Sequence, residues 1–361
     1  MFCKILRVAL GLSQDFPYTP TEEEWKFLYL MAYRQTLLGV AYNAIERLPK
    51  ESQPPLLIAL RWSRDAEAIR GKNILMNQEA AHYTQLFAEK GFRSAILKGQ
   101  ANARLYPDPY SRQPGDIDIW VPGEYDKTLK LLQDLKKTDL TDLKRDFHDI
   151  AFTSENNINI EVHYKPSAII RKKDNEFQKV LLNELEDLTL TPEGFYTPNT
   201  RFALLMQLAH VHKHSLESGI GFRQYMDYFL LLTHSTEADR NFAWTYAKKF
   251  GMHYACAAIM GVLELIFGLS REKMLCKPSR IRGKHLYKLS LKEGNFGFYK
   301  RTLDNISSTH WYKLKSWFTR RTNEFYKIPI DPPNMLLKIL KYWKYLISSI
   351  PERIRRRSIT L

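Results

Sequence analysis

The sequence predicts an α+β fold, in which a small mixed sheet is flanked by helical regions on both sides along the chain. Residues 115–121 and 158–164 alternate polar and apolar side chains with the period of two that is typical of half-buried strands. Much of 21–90 and 200–267 instead carries apolar residues at helical spacing. An apolar content of 44% in 361 residues is enough for two or three domains, each with its own core.

The N-terminal region, residues 1–90, is predicted to be helical. Thr21 is a suitable N-cap for a helix over 21–47, because three glutamates follow it in the first turn. A second helix is expected from Leu56 to about Lys90, ending at Gly91 as a C-terminal glycine would.

The central region, residues 91–197, is predicted to contain the sheet. A short buried strand over 92–98 runs into Gly99, and the strand that begins at Asp116 precedes a helix over about 123–136. The segments 148–153 and 158–164 form a hairpin, since Asn156 and Asn157 between them suit a tight turn. The resulting order of strands and helices is that of a mixed sheet with helices on one side.

The C-terminal region, residues 198–361, is predicted to be helical again. Four helices are expected over 200–215, 221–232, 239–250 and 254–267. The last stretch, 333–357, reads as a basic amphipathic helix. Its apolar stripe contains Leu336, Ile339, Leu340, Trp343, Leu346 and Ile347, and its lysines include Lys338, Lys341 and Lys344.

Charge is concentrated at the C-terminal end of the chain. The formal net charge is +15, and residues 271–361 contain 22 Lys or Arg against 6 Asp or Glu, a net charge of +16. Such a region suits an anionic partner: a membrane surface, a nucleic acid or a polyanionic saccharide. Three cysteines without paired spacing fit a reducing compartment, so a cytoplasmic location is expected, and no membrane-spanning segment is predicted.

Three carboxylates are predicted to meet at the polar face of the sheet. Asp116 and Asp118 share one face of their strand, and Glu161 projects from the polar face of the later strand together with His163. If the two strands are neighbours, the three acids converge and repel one another. A divalent cation relieves such repulsion and prefers oxygen ligands, so the pattern predicts a site for Mg²⁺ or Mn²⁺.

Several motifs in order resemble a family of uncharacterised bacterial nucleotidyltransferases within the polymerase-β-like superfamily. They are Ile-Leu-Lys-Gly at 96–99, Leu-Tyr-Pro-Asp-Pro at 105–109, Arg112, Gly-Asp-Ile-Asp at 115–118 and Ile-Glu-Val-His at 160–163. The helices over 206–232 resemble the family's second half through His210, His214, Arg223 and Asp227. The resemblance implies a minimal polymerase-β-like nucleotidyltransferase sheet. It also implies metal-dependent transfer of a nucleoside monophosphate from a nucleoside triphosphate (NTP) to a hydroxyl or phosphate acceptor.

The resemblance also implies roles for individual residues. Asp116, Asp118 and Glu161 would be the catalytic metal ligands, with Glu161 holding the ion that activates the acceptor hydroxyl and able to serve as its general base. The implied nucleotide-binding residues are Lys98, Gly99, Arg112, Gly115 and His163. The wider superfamily has a Gly-Ser pair before its acidic motif, whereas this chain has Lys98-Gly99-Gln100. The resemblance therefore supports the phosphate-binding role of this segment less closely than it supports the metal-binding role of the acids.

Alternatives remain open for several of these residues. Arg112 could pair with Asp108 or Asp116 instead of binding phosphate, and Asp227 is expected to pair with Arg223, one helical turn away. Packing between helices explains the cluster of His210, His212 and His214 better than zinc does.

The whole chain has an alternative function as well. It could be an inactive nucleotidyltransferase-like scaffold whose basic end binds a membrane surface or a polyanion. Residues 333–357 could contact an anionic bilayer, which would place the protein at the inner membrane face, and nucleic acid is the second candidate partner.

Overall fold

The computed structural model describes residues 1–135, 144–145, 148–167, 174–295 and 324–355. Within these ranges no helix combines the length and the apolar character that crossing a bilayer requires.

The N-terminal region is helical, as predicted. Its helices are α1 (Phe2–Ala9), α2 (Glu22–Arg34), α3 (Leu38–Ile45) and α4 (Leu56–Glu89). Thr21 caps α2 in a reciprocal capping box with Glu24, which fixes the predicted start of that helix.

The helical signals over 21–47 belong to two helices, because the chain breaks between α2 and α3. Thr36 there has a positive φ of 55°, which a helix cannot contain. The buried Gln35 side chain donates to the Ser290 carbonyl at 3.1 Å and accepts from the Phe222 amide at 3.0 Å. These bonds to distant parts of the chain have no signature in the local spacing of apolar residues.

The central sheet is mixed, and its strand order is β1-β2-β5-β4-β3. Its strands are β1 (Ala95–Ile96), β2 (Ile117–Trp120), β3 (Lys144–Arg145), β4 (Asp149–Thr153) and β5 (Asn159–His163). β2 and β5 are parallel neighbours, and the other neighbouring pairs are antiparallel. The predicted hairpin is present as β4 and β5, with Asn157 at a φ of 57° in its turn.

Helices cover the apolar face of the sheet. Besides α4, the central region contains the single-turn α5 (Gln100–Ala103) and α6 (Tyr125–Asp134). Met76, Tyr83 and Phe87 of α4 pack in one buried cluster with Ile117 and Ile119 of β2, and α6 adds two leucines to that cluster. Since side chains of a strand alternate between faces, Asp118 of β2 lies on the opposite face. The α+β class predicted from the sequence is confirmed.

The C-terminal region contains the four predicted helices. They are α8 (Thr200–Leu216), α9 (Phe222–His234), α10 (Glu237–Lys249) and α11 (His253–Phe267). The sequence did not predict α7 (Asp174–Glu184), the small hairpin of β6 (Leu188–Leu190) with β7 (Tyr196–Pro198), or α12 (Arg280–Glu293). One large apolar core joins this region to the N-terminal helices, with Trp25 and Trp62 on one side and Phe202, Phe222 and Tyr225 on the other.

The last described helix is α13 (Pro332–Arg355), whose first turn is anchored in the core. Asp331 and Asn334 are buried, and the His212 imidazole Nε2 donates to Asp331 Oδ2 at 2.8 Å. Burial alone would raise the pKa of Asp331, but the hydrogen bond and charge of His212 outweigh it and hold the pKa below the usual range. His212 therefore has a structural role, in agreement with the packing alternative.

The apolar stripe predicted for this helix is divided between core and solvent. Ile339 is buried, whereas Leu336, Leu340 and Trp343 are 48%, 66% and 39% exposed. The side chains of Leu346 and Ile347 lie outside the described part of the chain.

Candidate active site

The three predicted carboxylates line one cavity of about 690 Å³ on the polar face of the sheet. β2 and β5 bring two of them together, because Asp118 stands directly opposite Glu161 in the parallel register. Ligand atoms of Asp118, Glu161 and His163 lie within 4.8 Å of one another. Asp116, just before β2, lines the same cavity but is not part of that close group.

Asp118 is the most constrained of the three acids. It is 1% exposed, and its Oδ1 accepts from Lys98 Nζ at 2.9 Å and from His163 Nε2 at 3.0 Å. Burial would raise its pKa, but the charge of Lys98 and the hydrogen bond of His163 prevail and lower it well below the usual range. The other oxygen, Oδ2, is buried and has no hydrogen-bond partner among the described residues.

Glu161 differs from Asp118 in its environment. Burial and the negative charges of Asp118 and Asp116 raise the pKa of Glu161 to about 9. His163 Nε2 lies 3.8 Å from Glu161 Oε2, farther than from Asp118. His163 therefore orients the Asp118 carboxylate more directly than it orients the Glu161 carboxylate. From the sequence, Glu161 was the expected neighbour, because it shares a strand face with His163.

The donor set fits a divalent cation. Asp116, Asp118 and Glu161 all supply carboxylate oxygens to the cavity. One of these oxygens, Asp118 Oδ2, is buried without a hydrogen bond among the described residues. Repulsion between the acids favours a positive charge between them. A divalent cation with oxygen ligands is the species that would satisfy that oxygen and neutralise the like charges.

A second group of possible metal ligands, His148, Asp149 and His163, borders the same cavity. This group is not predicted from the sequence. Asp149 on β4 pairs in register with His163, and His148 Nε2 lies 3.3 Å from Asp149 Oδ2. The three residues also have ligand atoms within 4.8 Å of one another. The period of two along β4, which puts Asp149 and Ala151 on the cavity face, was the signal that could have found this group.

The predicted phosphate-binding residues lie beside the acids. Lys98, Gly99, Arg112 and Gly115 line a smaller recess of about 40 Å³, which shares Lys98, Asp116, Asp118 and His210 with the large cavity. Gly99 has φ 62° and ψ −105°, a conformation that side-chain-bearing residues rarely adopt. The helix that follows it, α5, has four residues, so its dipole is weak.

Arg112 has a different partner from those expected. Its Nε and Nη2 donate to the two oxygens of Asp227, each at 2.8 Å, and Tyr106 Oη donates to Asp227 Oδ1 at 2.7 Å. Asp108 pairs with Arg70 instead, at 2.7 Å.

The predicted pairing of Asp227 with Arg223 is also wrong. Arg223 Nη1 donates to the Gln113 carbonyl at 2.8 Å, while Arg112 occupies Asp227. Arg112 is 115 positions from Asp227, so local spacing favoured the nearer arginine.

Helix α8 forms the wall of the cavity across from the sheet. Met206, His210, Lys213 and His214 line it, and the rings of His210 and His214 lie 4.3 Å apart. Burial, followed by the charge of Lys98, lowers the pKa of His214 to about 3 and that of His210 well below its usual value. Both imidazoles are therefore neutral near pH 7, and among the described residues they are in no potential metal-binding group.

Comparison with known proteins gives a family match over most of the chain. A family model described as an uncharacterised nucleotidyltransferase matches residues 21–268. No curated protein sequence has significant similarity to the chain. Among solved structures, the crystal structure of an antigenic nucleotidyltransferase-like protein from Paracoccidioides brasiliensis is similar at 13% identity, with a TM-score of 0.30. That similarity covers 48% of this chain and 87% of the other.

Proposed function

Because this chain belongs to the uncharacterised nucleotidyltransferase family, we propose that it transfers a nucleoside monophosphate from an NTP to a hydroxyl or phosphate acceptor. The observation that carries the proposal is the placement of Asp118 opposite Glu161 on parallel strands, with Asp116 lining the same cavity. Three acids in one cavity are costly unless they bind cations, and phosphoryl-transfer sites require bound cations.

In the proposed reaction, the acceptor oxygen attacks the α-phosphorus of the NTP. A new bond forms between that oxygen and the α-phosphorus, the bond from the α-phosphorus to the bridging oxygen of the β-phosphate breaks, and pyrophosphate departs. A hydroxyl acceptor gives its proton to water, or to Glu161 in its carboxylate form. The raised pKa of Glu161 favours the protonated form, whereas a bound cation would favour the carboxylate. Catalysis of this kind consists mainly of positioning the reactants and stabilising negative charge.

Mg²⁺ or Mn²⁺, held by Asp116, Asp118 and Glu161, would supply the positive charge that stabilises the phosphate oxygens. The chain's own residues prepare this site. Lys98 and His163 both bind Asp118 Oδ1, so they fix the orientation of the carboxylate and leave Oδ2 free of protein hydrogen bonds among the described residues. Gly99 and Gly115 border the recess next to Lys98, where the phosphates of a nucleotide would lie.

Nucleotide-dependent stabilisation tests this function against an inactive scaffold. We expect ATP, GTP, CTP or UTP to raise the unfolding temperature in the presence of Mg²⁺ or Mn²⁺ and not with EDTA, because the metal and the phosphates bind together. Ligand at 100 times its Kd should add about 2.7 kcal/mol of stability. If none of the four nucleotides raises the unfolding temperature in a metal-dependent way, the scaffold alternative is favoured.

The acceptor would be sought by mass spectrometry after incubation with labelled nucleotide and a cell extract.

We also propose that the basic end of the chain contacts an anionic membrane surface, consistent with a cytoplasmic protein at the inner membrane face. Leu336, Leu340 and Trp343 are exposed on α13, and the lysines of this helix lie among them. Nucleic acid remains the less favoured partner, since its binding would depend on the positive charge alone.

A vesicle-binding experiment tests this contact. Leu340→Glu is expected to reduce co-sedimentation with phosphatidylserine vesicles, because it places a negative charge on the exposed apolar face. Leu57→Glu is the matched control, since Leu57 is 81% exposed on α4, outside this region. Equal vesicle binding by both variants and the unaltered protein would remove the membrane proposal.

A further inference from the structure

Arg223 is a buried cation without a carboxylate partner among the described residues. It is 8% exposed, and its Nη1 donates to the Gln113 carbonyl at 2.8 Å. Its Nε is buried and has no hydrogen-bond acceptor within the described part of the chain. None of the described ion pairs includes Arg223, and the negative charges of Asp227 and Asp116 act on it without a direct contact. Because a buried charge is costly unless an opposite charge meets it, this guanidinium is suited to bind an anion.

The neighbouring carboxylate does not meet this need. Asp227 lies one turn along α9, but its two oxygens accept from Arg112 and from Tyr106. Arg112, the arginine that the resemblance assigns to phosphate, is instead held in a bidentate pair with Asp227. Arg223 differs from Arg112 in having no carboxylate pair among the described residues and a buried Nε without an acceptor there.

Arg223 borders the small recess next to the acidic residues. Lys98, Gly99 and Gly115 line the same recess, and Asp116 and Asp118 line both the recess and the large cavity. The recess thus combines cationic side chains with two of the proposed metal ligands. A volume of about 40 Å³ is small for a nucleobase or a sugar, and suits a compact anion.

We propose that Arg223 binds the terminal phosphates of the NTP, the part that leaves as pyrophosphate, with Lys98 as the second cation. This inference rests on the proposed function, in which the α-phosphorus lies at the acids. The departing phosphates then extend away from Glu161 and into the recess. A planar guanidinium suits phosphate oxygens, and its positive charge stabilises the negative charge that builds on the leaving group.

Binding measurements with ATP, AMP and inorganic pyrophosphate, each with Mg²⁺, test the assignment in the full chain. The unaltered protein should bind ATP more tightly than AMP. Arg223→Gln should weaken ATP and pyrophosphate binding by roughly 10- to 100-fold, the value of one charged hydrogen bond, and leave AMP binding unchanged. Arg240→Gln is the matched control, because Arg240 on α10 is also buried but donates to the Ser235 carbonyl and lines neither the large cavity nor the recess.

Two results would overturn the proposal. One is an Arg223→Gln protein that keeps the preference for ATP over AMP, and the other is an unaltered protein that has no such preference. Should Arg223→Gln fail to fold, Arg223→Met takes its place, since it keeps an unbranched side chain and removes the charge and the donors. A preference for ATP unchanged by Arg223→Met then contradicts the assignment. Transfer of labelled nucleotide by the unaltered protein is measured separately, so loss of the phosphate site and loss of the proposed function give different results.

Discussion

Asp116→Asn is expected to lower nucleotidyl transfer by about 10²- to 10³-fold or more, the size of effect seen when one charge-stabilising group leaves an active site. The substitution keeps the shape of the side chain and removes its negative charge. None of the described ion pairs involves Asp116, so the free energy of unfolding without ligand should change little. The stabilisation by NTP and Mg²⁺ should disappear, because the site has lost a metal ligand.

Asp126→Asn is the control for this experiment. Asp126 is an exposed acid in the first turn of α6, and it does not line the cavity. Its removal should leave both transfer and metal-dependent stabilisation unchanged. An Asp116→Asn protein with near-normal transfer would show that Asp116 is not a ligand of the catalytic metal.

Asp227→Asn is expected to cost about 3–5 kcal/mol of stability, as breaking a buried ion pair does. Asp227 and Arg112 have side chains that are 2% and 6% exposed, so the substitution leaves the Arg112 guanidinium buried without its counter-charge. The neighbouring Arg223 increases the cost, because two cations would then face each other at low dielectric. Urea denaturation of the unaltered and variant proteins measures the difference.

Asp65→Asn is a close control, since Asp65 also accepts from a tyrosine and an arginine. Tyr29 Oη donates to Asp65 Oδ2, and Arg64 lies 2.9 Å from Asp65 Oδ1. The Arg64 side chain is 75% exposed, so this pair should contribute less than about 1 kcal/mol. Similar losses for the two variants would mean that burial does not determine the value of the Asp227 pair.

The sequence predicts the sheet and the acids because their signals are local. A period of two puts Asp116 and Asp118 on the polar face of one strand and Glu161 on the polar face of a second strand, and that pattern does not depend on distant residues. The four C-terminal helices are predicted for the same reason, since their apolar spacing continues over several turns.

The remaining features depend on contacts between distant positions. Gln35 bonds to Ser290 and Phe222, and Arg112 bonds to Asp227, and neither pairing has a signature in nearby residues. His210 lines the cavity only because α8 packs across from the sheet. A single sequence cannot specify such partners, because spacing along the chain says nothing about proximity between separate elements.

The wall formed by α8 and the recess bordered by α9 have a consequence for any attempt to shorten the protein. A fragment that stops at the end of β7 would keep all three acids, yet it would lose His210, Lys213 and Arg223. It would leave the polar side of the sheet open to water. For the proposed nucleotide site, the smallest unit that keeps all of its residues extends through α9. That unit would also need the N-terminal helices, because Trp25 and Trp62 lie in the same apolar core as α8 and α9.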